Sequence, residues 1–459
     1  MPIAVHNVRS VRRMILLPAV VLAAAAWSSL AGASDNTNQN LQVFNIVGGV
    51  SIDPAGMLTN ADQDTVRNLT RIRRDALQPI AEGMNQTSGL RKVSLRKLEA
   101  AIKAHLERGN RLSDAVQLLA GLQQIRYVLV YPEQKDIVLV GPAEGWQLDA
   151  RGNFVGVTSG RPVMLLDDFL VSLRAALSAP SVLSCSINPT PEGIRRVESL
   201  MRQLRGADAQ TAAAGVEEQI GPQTITVRGV PGSTHFARVM VGADYRMKRV
   251  SLALDPSPVN GLPSYLEMAK ATGFGPRNMM PRWWLEPDYQ PLLRDDAGLA
   301  WEVRGASVRC LTENDYLDAN GVAHPSGHAD PISQRWADLM TSRYEDLAVA
   351  DPVFGQLRNC MDMAVVTALI AKQRLFVKAG ASFPMLSGEH NGLLAAKLPA
   401  PKQVATSASL VKKAKKTIIA AGGVQINPWT AIEKTEKKAS LAEVHSKASD
   451  PDHANWWWD

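Results

Sequence analysis

The spacing of apolar residues divides the chain into helical and extended stretches. In residues 62–82 and 92–124 apolar side chains recur every three or four positions, which predicts helices with one buried face. Residues 127–131 and 136–140 are instead rich in β-branched and aromatic types, and the Pro-Glu-Gln-Lys between them predicts a hairpin. We therefore expect an N-terminal half that mixes short hairpins with helices.

Strands and helices continue to alternate through the middle of the chain. Short apolar runs predict strands at 182–187 and 224–230. Each is followed by a predicted helix, the first capped by Thr190 and the second by Ser233 or Thr234, because a side-chain oxygen there can accept from free backbone N–H groups. This region is expected to contain both element types.

The C-terminal half combines a Trp-bearing segment with two long helical patterns. Residues 256–330 are rich in Pro, Gly and Trp and include short β-like runs. Helices are predicted at 331–348 and 352–375, separated at Asp351-Pro352. The expected fold class is α+β, with a small Trp-bearing sheet of the C-terminal half packed on the two long helices.

Shifts in composition divide the chain into five predicted regions. They are a signal peptide at 1–33, an N-terminal hairpin and helical region at 34–125, an α/β region with a hairpin at 126–232, a C-terminal α+β region at 233–376, and a Lys-rich linker, short strand and flexible tail at 377–459.

The first 33 residues have the three parts of a secretory signal. Arg9, Arg12 and Arg13 precede an apolar run at 14–27, and small residues follow up to Ala33. The run holds 14 residues and one proline, whereas a membrane-spanning helix needs about 20 apolar residues. We therefore expect cleavage after Ala33, no transmembrane segment in the mature chain, and a periplasmic, extracellular or cell-surface location.

The charge balance gives no strong signal for nucleic-acid binding. The formal charge of +6 falls to +3 without the first 33 residues, since these carry three arginines and no acid. Residues 397–416 contain six lysines and no acid, which predicts a solvated linker. Contact of this segment with a phosphate-rich polymer is the alternative.

The chain has three cysteines, Cys185, Cys310 and Cys360. An oxidising compartment permits one disulfide among three pairings. Buried free thiols are the favoured alternative, because free cysteine is among the most buried residue types. No two of them have the spacing of a zinc finger.

Two imidazoles and a carboxylate lie close together in sequence at His324, His328 and Asp330. Neutral imidazole is a good ligand for zinc, copper or nickel. The intervening Pro-Ser-Gly predicts a loop, however, and not the helical face on which a zinc protease holds two histidines. A polar turn leading into a helix capped by Asp330 is therefore favoured, and we expect no metal and no other cofactor.

The densest group of aromatic and charged residues lies at 281–289. Aromatic faces can stack on sugars or peptides while charged groups fix polar atoms at the rim. For the tryptophans we favour the interpretation that they fill the core of a small sheet, with Trp301 in a neighbouring strand, because large aromatic side chains contribute most when buried. The candidate contact residues are Arg282, Trp283, Trp284, Asp288 and Tyr289.

Common catalytic motifs are missing from the sequence, which has no Gly-x-Ser-x-Gly elbow and no glycine-rich phosphate loop. Carboxylates at 167–168, 295–296 and 313–315 could flank a glycosidic bond as acid and base, although such residues more often serve in turns and caps. No catalytic residue is assigned.

The favoured function is a non-enzymatic exported module that binds an envelope polymer or envelope protein, and the alternative is a hydrolase that acts on an envelope polymer through a carboxylate pair or a metal.

Five unusual strings follow one another in the second half of the chain. They are GADYRMKR at 242–249, GLPSY at 261–265, PRWW at 281–284, QRWAD at 334–338 and FGQLRN at 354–359. In this order they resemble an exported planctomycete-type family that carries a domain of unknown function. The resemblance covers residues 47–429 and implies export, but no reaction, cofactor or catalytic residue.

Overall fold

In the part of the chain that the computed structural model describes, helices pack on two large β-sheets, of nine and six strands, and two further sheets have two strands each. The described residues are 47, 49–203, 215–216, 218–272, 279–305, 307–318, 320, 322–388, 398–406, 409–411, 416–418, 420–449 and 458. All of them belong to one compact unit, Val43–Asp459. The predicted signal peptide at 1–33 lies outside the described residues, as do parts of the lysine-rich segment 397–416 and most of the tail after 449.

Most strands are short, and many pair with a strand that is distant in sequence. The hairpin predicted at 127–140 is confirmed, because the strand Tyr127–Tyr131 pairs antiparallel with the strand that begins at Asp136. The strands are β1 (Val50–Ile52), β2 (Met57–Asn60), β3 (Ser88–Ser94), β4 (Tyr127–Tyr131), β5 (Asp136–Ala143), β6 (Trp146–Leu148), β7 (Phe154–Gly156), β8 (Leu183–Asn188), β9 (Gln223–Arg228), β10 (Met279–Asp288), β11 (Leu292–Arg294), β12 (Ala300–Glu302), β13 (Ser307–Leu317), β14 (Ala323–Pro325), β15 (Gln403–Val404), β16 (Ser409–Val411), β17 (Lys416–Ile418), β18 (Ala421–Ile426) and β19 (Thr435–Lys437).

Several helices begin at residues whose side chains accept from their free N–H groups. Thr234 accepts from the backbone N of Ala237, and Asp330 accepts from the backbone N of Ile332 and Ser333. The helices are α1 (Gln63–Asp75), α2 (Leu95–Glu107), α3 (Asp114–Gln117), α4 (Leu166–Ser178), α5 (Pro191–Gln203), α6 (His235–Ser251), α7 (Tyr265–Thr272), α8 (Pro331–Ser342), α9 (Tyr344–Ala350), α10 (Pro352–Lys372), α11 (Leu375–Lys378), α12 (Pro384–Ser387), α13 (Pro428–Ala431) and α14 (Leu441–Ala448).

The larger sheet has nine strands in the order β1-β2-β15-β9-β8-β18-β10-β13-β14. Strand β18 lies between β8, with which it is antiparallel, and β10, with which it is parallel. In the central strands buried and more accessible residues alternate, as in Leu183, Ser184 and Cys185, because successive side chains point to opposite faces. One face of the sheet therefore belongs to the core and the other stays open.

Helices α6, α8 and α10 cover the core face of this sheet. Trp283 of β10 is fully buried there, and its ring lies edge-on to Tyr265 and Trp336 at centroid distances of 5.0 and 4.9 Å. Helix α10 is buried along most of its length, including its polar residues Arg358, Asn359 and Asp362. It contributes to the cores of both sheets.

The second sheet has six strands in the order β19-β11-β12-β4-β5-β3. It draws on sequence from residue 88 to residue 437, and the nine-stranded sheet from residue 50 to residue 426. The four regions that we predicted after residue 33 thus each contribute strands to the larger sheet. This interleaving places the N-terminal hairpin and the C-terminal strands in one framework.

The α+β class is confirmed, with differences in detail. The Trp-bearing strand β10 belongs to the nine-stranded sheet and not to a small one, because strands from all parts of the chain extend it. Trp301 lies on β12 in the other sheet and not beside β10. The helix predicted at 331–348 is broken at Arg343 into α8 and α9, and α8 packs on β13.

The three cysteines are buried and unpaired. Burial raises the pKa of each thiol, so these groups stay protonated and unreactive at neutral pH. None of the helices in the described ranges combines the length and apolar character that crossing a membrane requires.

Candidate functional site

A groove lies on the open face of the nine-stranded sheet, across β9, β8, β18 and β10. Its volume is about 510 Å³. The groove is partly open to solvent, and its volume lies within the range of about 300–1,000 Å³ that is typical of ligand pockets. Its polar and aromatic lining residues are Ser184, Ser186, Asn188, Thr226, Arg228, Arg282, Trp284 and Gln425.

The strand register brings these side chains together from four separate parts of the sequence. Ser186 pairs with Thr226 on one side and with Gly423 on the other, and Gly423 pairs with Trp284. Residues directly opposite each other on neighbouring strands share a face of the sheet. Gly423 has no side chain, and a Cβ at this position would collide with the carbonyl oxygen of Cys185 on β8. The close approach of the two strands therefore requires glycine here.

Arg282 and Trp284 form the aromatic and cationic rim of the groove. Both side chains are half-buried, and the Arg282 guanidinium carbon lies 5.6 Å from the Trp284 ring centroid. Arg282 also approaches the Asp315 carboxylate at 3.7 Å. The ring and the carboxylate orient the guanidinium, and at this distance the ion pair leaves it able to donate to a ligand.

A smaller depression of about 230 Å³ continues the groove past Gln425. Asp288, Tyr289 and Lys434 are among its lining residues, and Glu286 in its wall pairs with Arg309. Four of the five predicted contact residues therefore line the groove or this depression. Trp283 does not, because it points into the core with no exposed surface.

Tyr289 is anchored to a carboxyl group inside the protein. Its hydroxyl donates to Asp362 of α10 at 3.3 Å, and the same carboxyl accepts from the backbone N of Ile125 at 2.6 Å. Burial raises the pKa of Asp362 to about 7, although the Ile125 N–H and the nearby Arg358 oppose the shift. This carboxyl positions Tyr289 and does not reach the groove.

The replacement Asp362→Asn is expected to stabilise the protein increasingly as pH rises. A carboxyl whose pKa is higher in the folded than in the unfolded state contributes stability at low pH and loses it as pH rises through the folded pKa. Between pH 5 and 8 the variant should gain about 2–3 kcal/mol over the wild type. Urea unfolding at pH 5 and pH 8 measures the difference in free energy of unfolding between variant and wild type. If that difference does not change with pH, the carboxyl does not have the buried, proton-binding role assigned to it.

A buried ion pair lies directly beneath the groove floor. Lys248 of α6 donates to Asp244 at 3.0 Å, to the carbonyl of Ile187 at 2.7 Å and to that of Gly422 at 3.3 Å. Burial lowers the pKa of Lys248, and the Asp244 carboxylate counteracts this. Three acceptors match the three donors of an ammonium group, so the pair fastens β8 and β18 to the helix behind them.

The predicted metal candidates have separate structural roles. His324 stacks on Tyr316 and contacts Asp318 through its Nε2 at 3.0 Å, whereas Asp330 caps α8. His328 is exposed. Within the described ranges no three His, Cys, Asp or Glu side chains are arranged to hold a metal ion.

The carboxylates singled out in the sequence also have other partners. Asp168 contacts His235 Nδ1 at 2.9 Å, and Asp296 pairs with Lys437 at 2.9 Å. Asp295 accepts from the backbone N of Leu299 at 2.8 Å and closes a turn. These contacts give Asp168, Asp295 and Asp296 structural roles.

Sequence reasoning missed most of the groove, the part that comes from β8, β9 and β18. A signal was present, because Leu-Ser-Cys-Ser-Ile-Asn at 183–188 and Gln-Thr-Ile-Thr-Val-Arg at 223–228 alternate between apolar and polar residues. That alternation is typical of a strand with one open face. The missed residues are Ser184, Ser186, Asn188, Thr226, Arg228 and Gln425.

Comparison with protein families finds a domain described as "Protein of unknown function (DUF1598)" at residues 185–265. The match spans β8, β9 and α6, and with them one side of the groove and the ion pair beneath it. Two of the five strings noted in the sequence, 242–249 and 261–265, lie within it. No curated protein and no solved structure matches the chain.

Proposed function

We propose that the protein is an exported binding module that holds an envelope polymer in the groove without cleaving it. The observation that carries the proposal is an open sheet face on which Trp284 remains accessible beside guanidinium, hydroxyl and amide groups. Ligand pockets typically combine aromatic side chains with a few convergent polar groups. The charged and small residues of the first 33 positions support export.

The rigidity of the groove supports a role in binding. Its floor is built from central strands that are fastened from behind by Lys248 and α6. Little ordering of the backbone is therefore needed when a ligand binds. Of the two carboxyl groups near the groove, Glu286 pairs with Arg309, whereas Asp315 lies 3.7 Å from Arg282 and burial raises its pKa.

An array of neutral, amino-bearing and acidic oligosaccharides together with peptidoglycan fragments tests the proposal. We expect the purified protein to bind at least one class, and Trp284→Ala to weaken that binding about tenfold or more, because the ring supplies the main apolar contact. Tyr316→Ala is the matched control, since Tyr316 is an aromatic residue of the same sheet that is 47% exposed away from the groove. Absence of binding to every class, or equal losses in the two variants, would contradict the proposal.

A further inference from the structure

The charge of the groove indicates which class of polymer it takes. Among the described residues that line it, two are arginines, Arg228 and Arg282, and none is acidic. The smaller depression beside it is balanced, with Glu286 and Asp288 against Arg309 and Lys434. The lining of the larger groove therefore carries more positive charge than that of the smaller depression, with Arg282 lying beside the Asp315 carboxylate.

Arg228 is the less constrained of the two arginines. Its side chain is exposed at the end of β9, and within the described part of the chain it has no hydrogen bond or ion pair. An arginine fork without a partner is well suited to bidentate contact with a carboxylate. Arg282, held between the Trp284 ring and Asp315, offers a second and more fixed donor.

The register gives the separation of the two arginines. Arg228 lies level with Ser184 and Gln425, whereas Arg282 lies level with Ala421, four residues earlier on β18. The two arginines are three strands apart across the sheet and four residues apart along the strands. With the usual spacing of strands and of residues within them, their Cα atoms lie about 20 Å apart. One sugar ring does not span this distance, but an oligomer does.

From this arrangement we propose that the ligand is an acidic polysaccharide, a chain of sugar rings that bear carboxylates. The chain would cross β9, β8, β18 and β10, with one carboxylate at Arg228, another at Arg282 and a ring face on Trp284. Hydroxyl and amide groups of Ser186, Thr226 and Gln425 lie between these points and would donate to or accept from ring hydroxyls. The inference rests on the proposed function and specifies its ligand.

Calorimetric titration with oligogalacturonates of increasing length, and with the same oligomers methyl-esterified, tests the inference. We expect the acidic oligomers to bind at least tenfold more tightly than the esters, because esterification removes the charge and keeps the ring. Affinity should rise with length until the oligomer spans both arginines, and it should fall as salt is added. Equal affinity for acid and ester, with Trp284→Ala still weakening both, would overturn the acidic ligand and leave the proposed function standing.

Substitutions of the arginines locate the charge recognition. Arg228→Gln and Arg282→Gln should each weaken binding of the acidic oligomer about tenfold and reduce its advantage over the ester. Arg195→Gln is the control, because Arg195 is an exposed arginine of α5 that pairs with Glu192 away from the groove. The inference would also be overturned if inorganic polyphosphate bound more tightly than oligogalacturonate and Trp284→Ala did not change the affinity for polyphosphate. If no oligosaccharide binds here or on the array, the proposed function itself fails.

Discussion

Replacing Asp244 by alanine is expected to lower the free energy of unfolding by about 3–5 kcal/mol, because it leaves the buried Lys248 without its counter-charge. Asp244 has no exposed surface, and Lys248 is 5% exposed. The ammonium group would have to lose its proton or admit water beneath β8 and β18. Urea unfolding of wild type and variant at pH 7 measures the loss.

A double replacement separates the missing charge from the missing side-chain volume. Asp244→Leu combined with Lys248→Met removes both charges and keeps an apolar contact between α6 and the sheet. We expect the double variant to recover at least half of the stability lost in Asp244→Ala, as apolar replacements of buried ion pairs often do. A double variant no more stable than the single one would show that the pair does not act through its charges.

The second large effect is expected at Trp283. Trp283→Ala should cost about 3–5 kcal/mol, because it opens a cavity between Tyr265 and Trp336 in the core of the larger sheet. Trp284→Ala, one residue later on the open face, should change stability by less than about 1 kcal/mol. Thermal and urea unfolding measure the loss of stability in each variant relative to the wild type. Similar losses in the two variants would contradict the assignment of the two rings to opposite faces of the sheet.

The local part of the fold could be predicted from sequence. Periodicity and capping predicted α5, α6 and the β4–β5 hairpin, because these depend on residues close together in the chain. The alternation along β10 also requires Trp283 and Trp284 to point to opposite faces. Which face is open depends on the helices that pack there, and no local pattern contains that information.

The groove depends on pairings that no local pattern specifies. Strand β18 enters the sheet between β8 and β10 although it lies more than a hundred residues after both. Gly423 is placed beside Trp284 and Ser186 only by that pairing. Arg282 and Trp284 could therefore be singled out by their chemistry, whereas Arg228 and Gln425 could be recognised only once the strand order was known.

Hydroxyl-radical footprinting of Trp284 tests the central claim, that the open face of the nine-stranded sheet is where the ligand binds. With the oligosaccharide that binds most tightly present at saturation, oxidation of the Trp284 ring should fall several-fold while oxidation of Tyr316 stays unchanged. Unaltered oxidation of Trp284 in a protein shown to be saturated with that oligosaccharide would contradict the account.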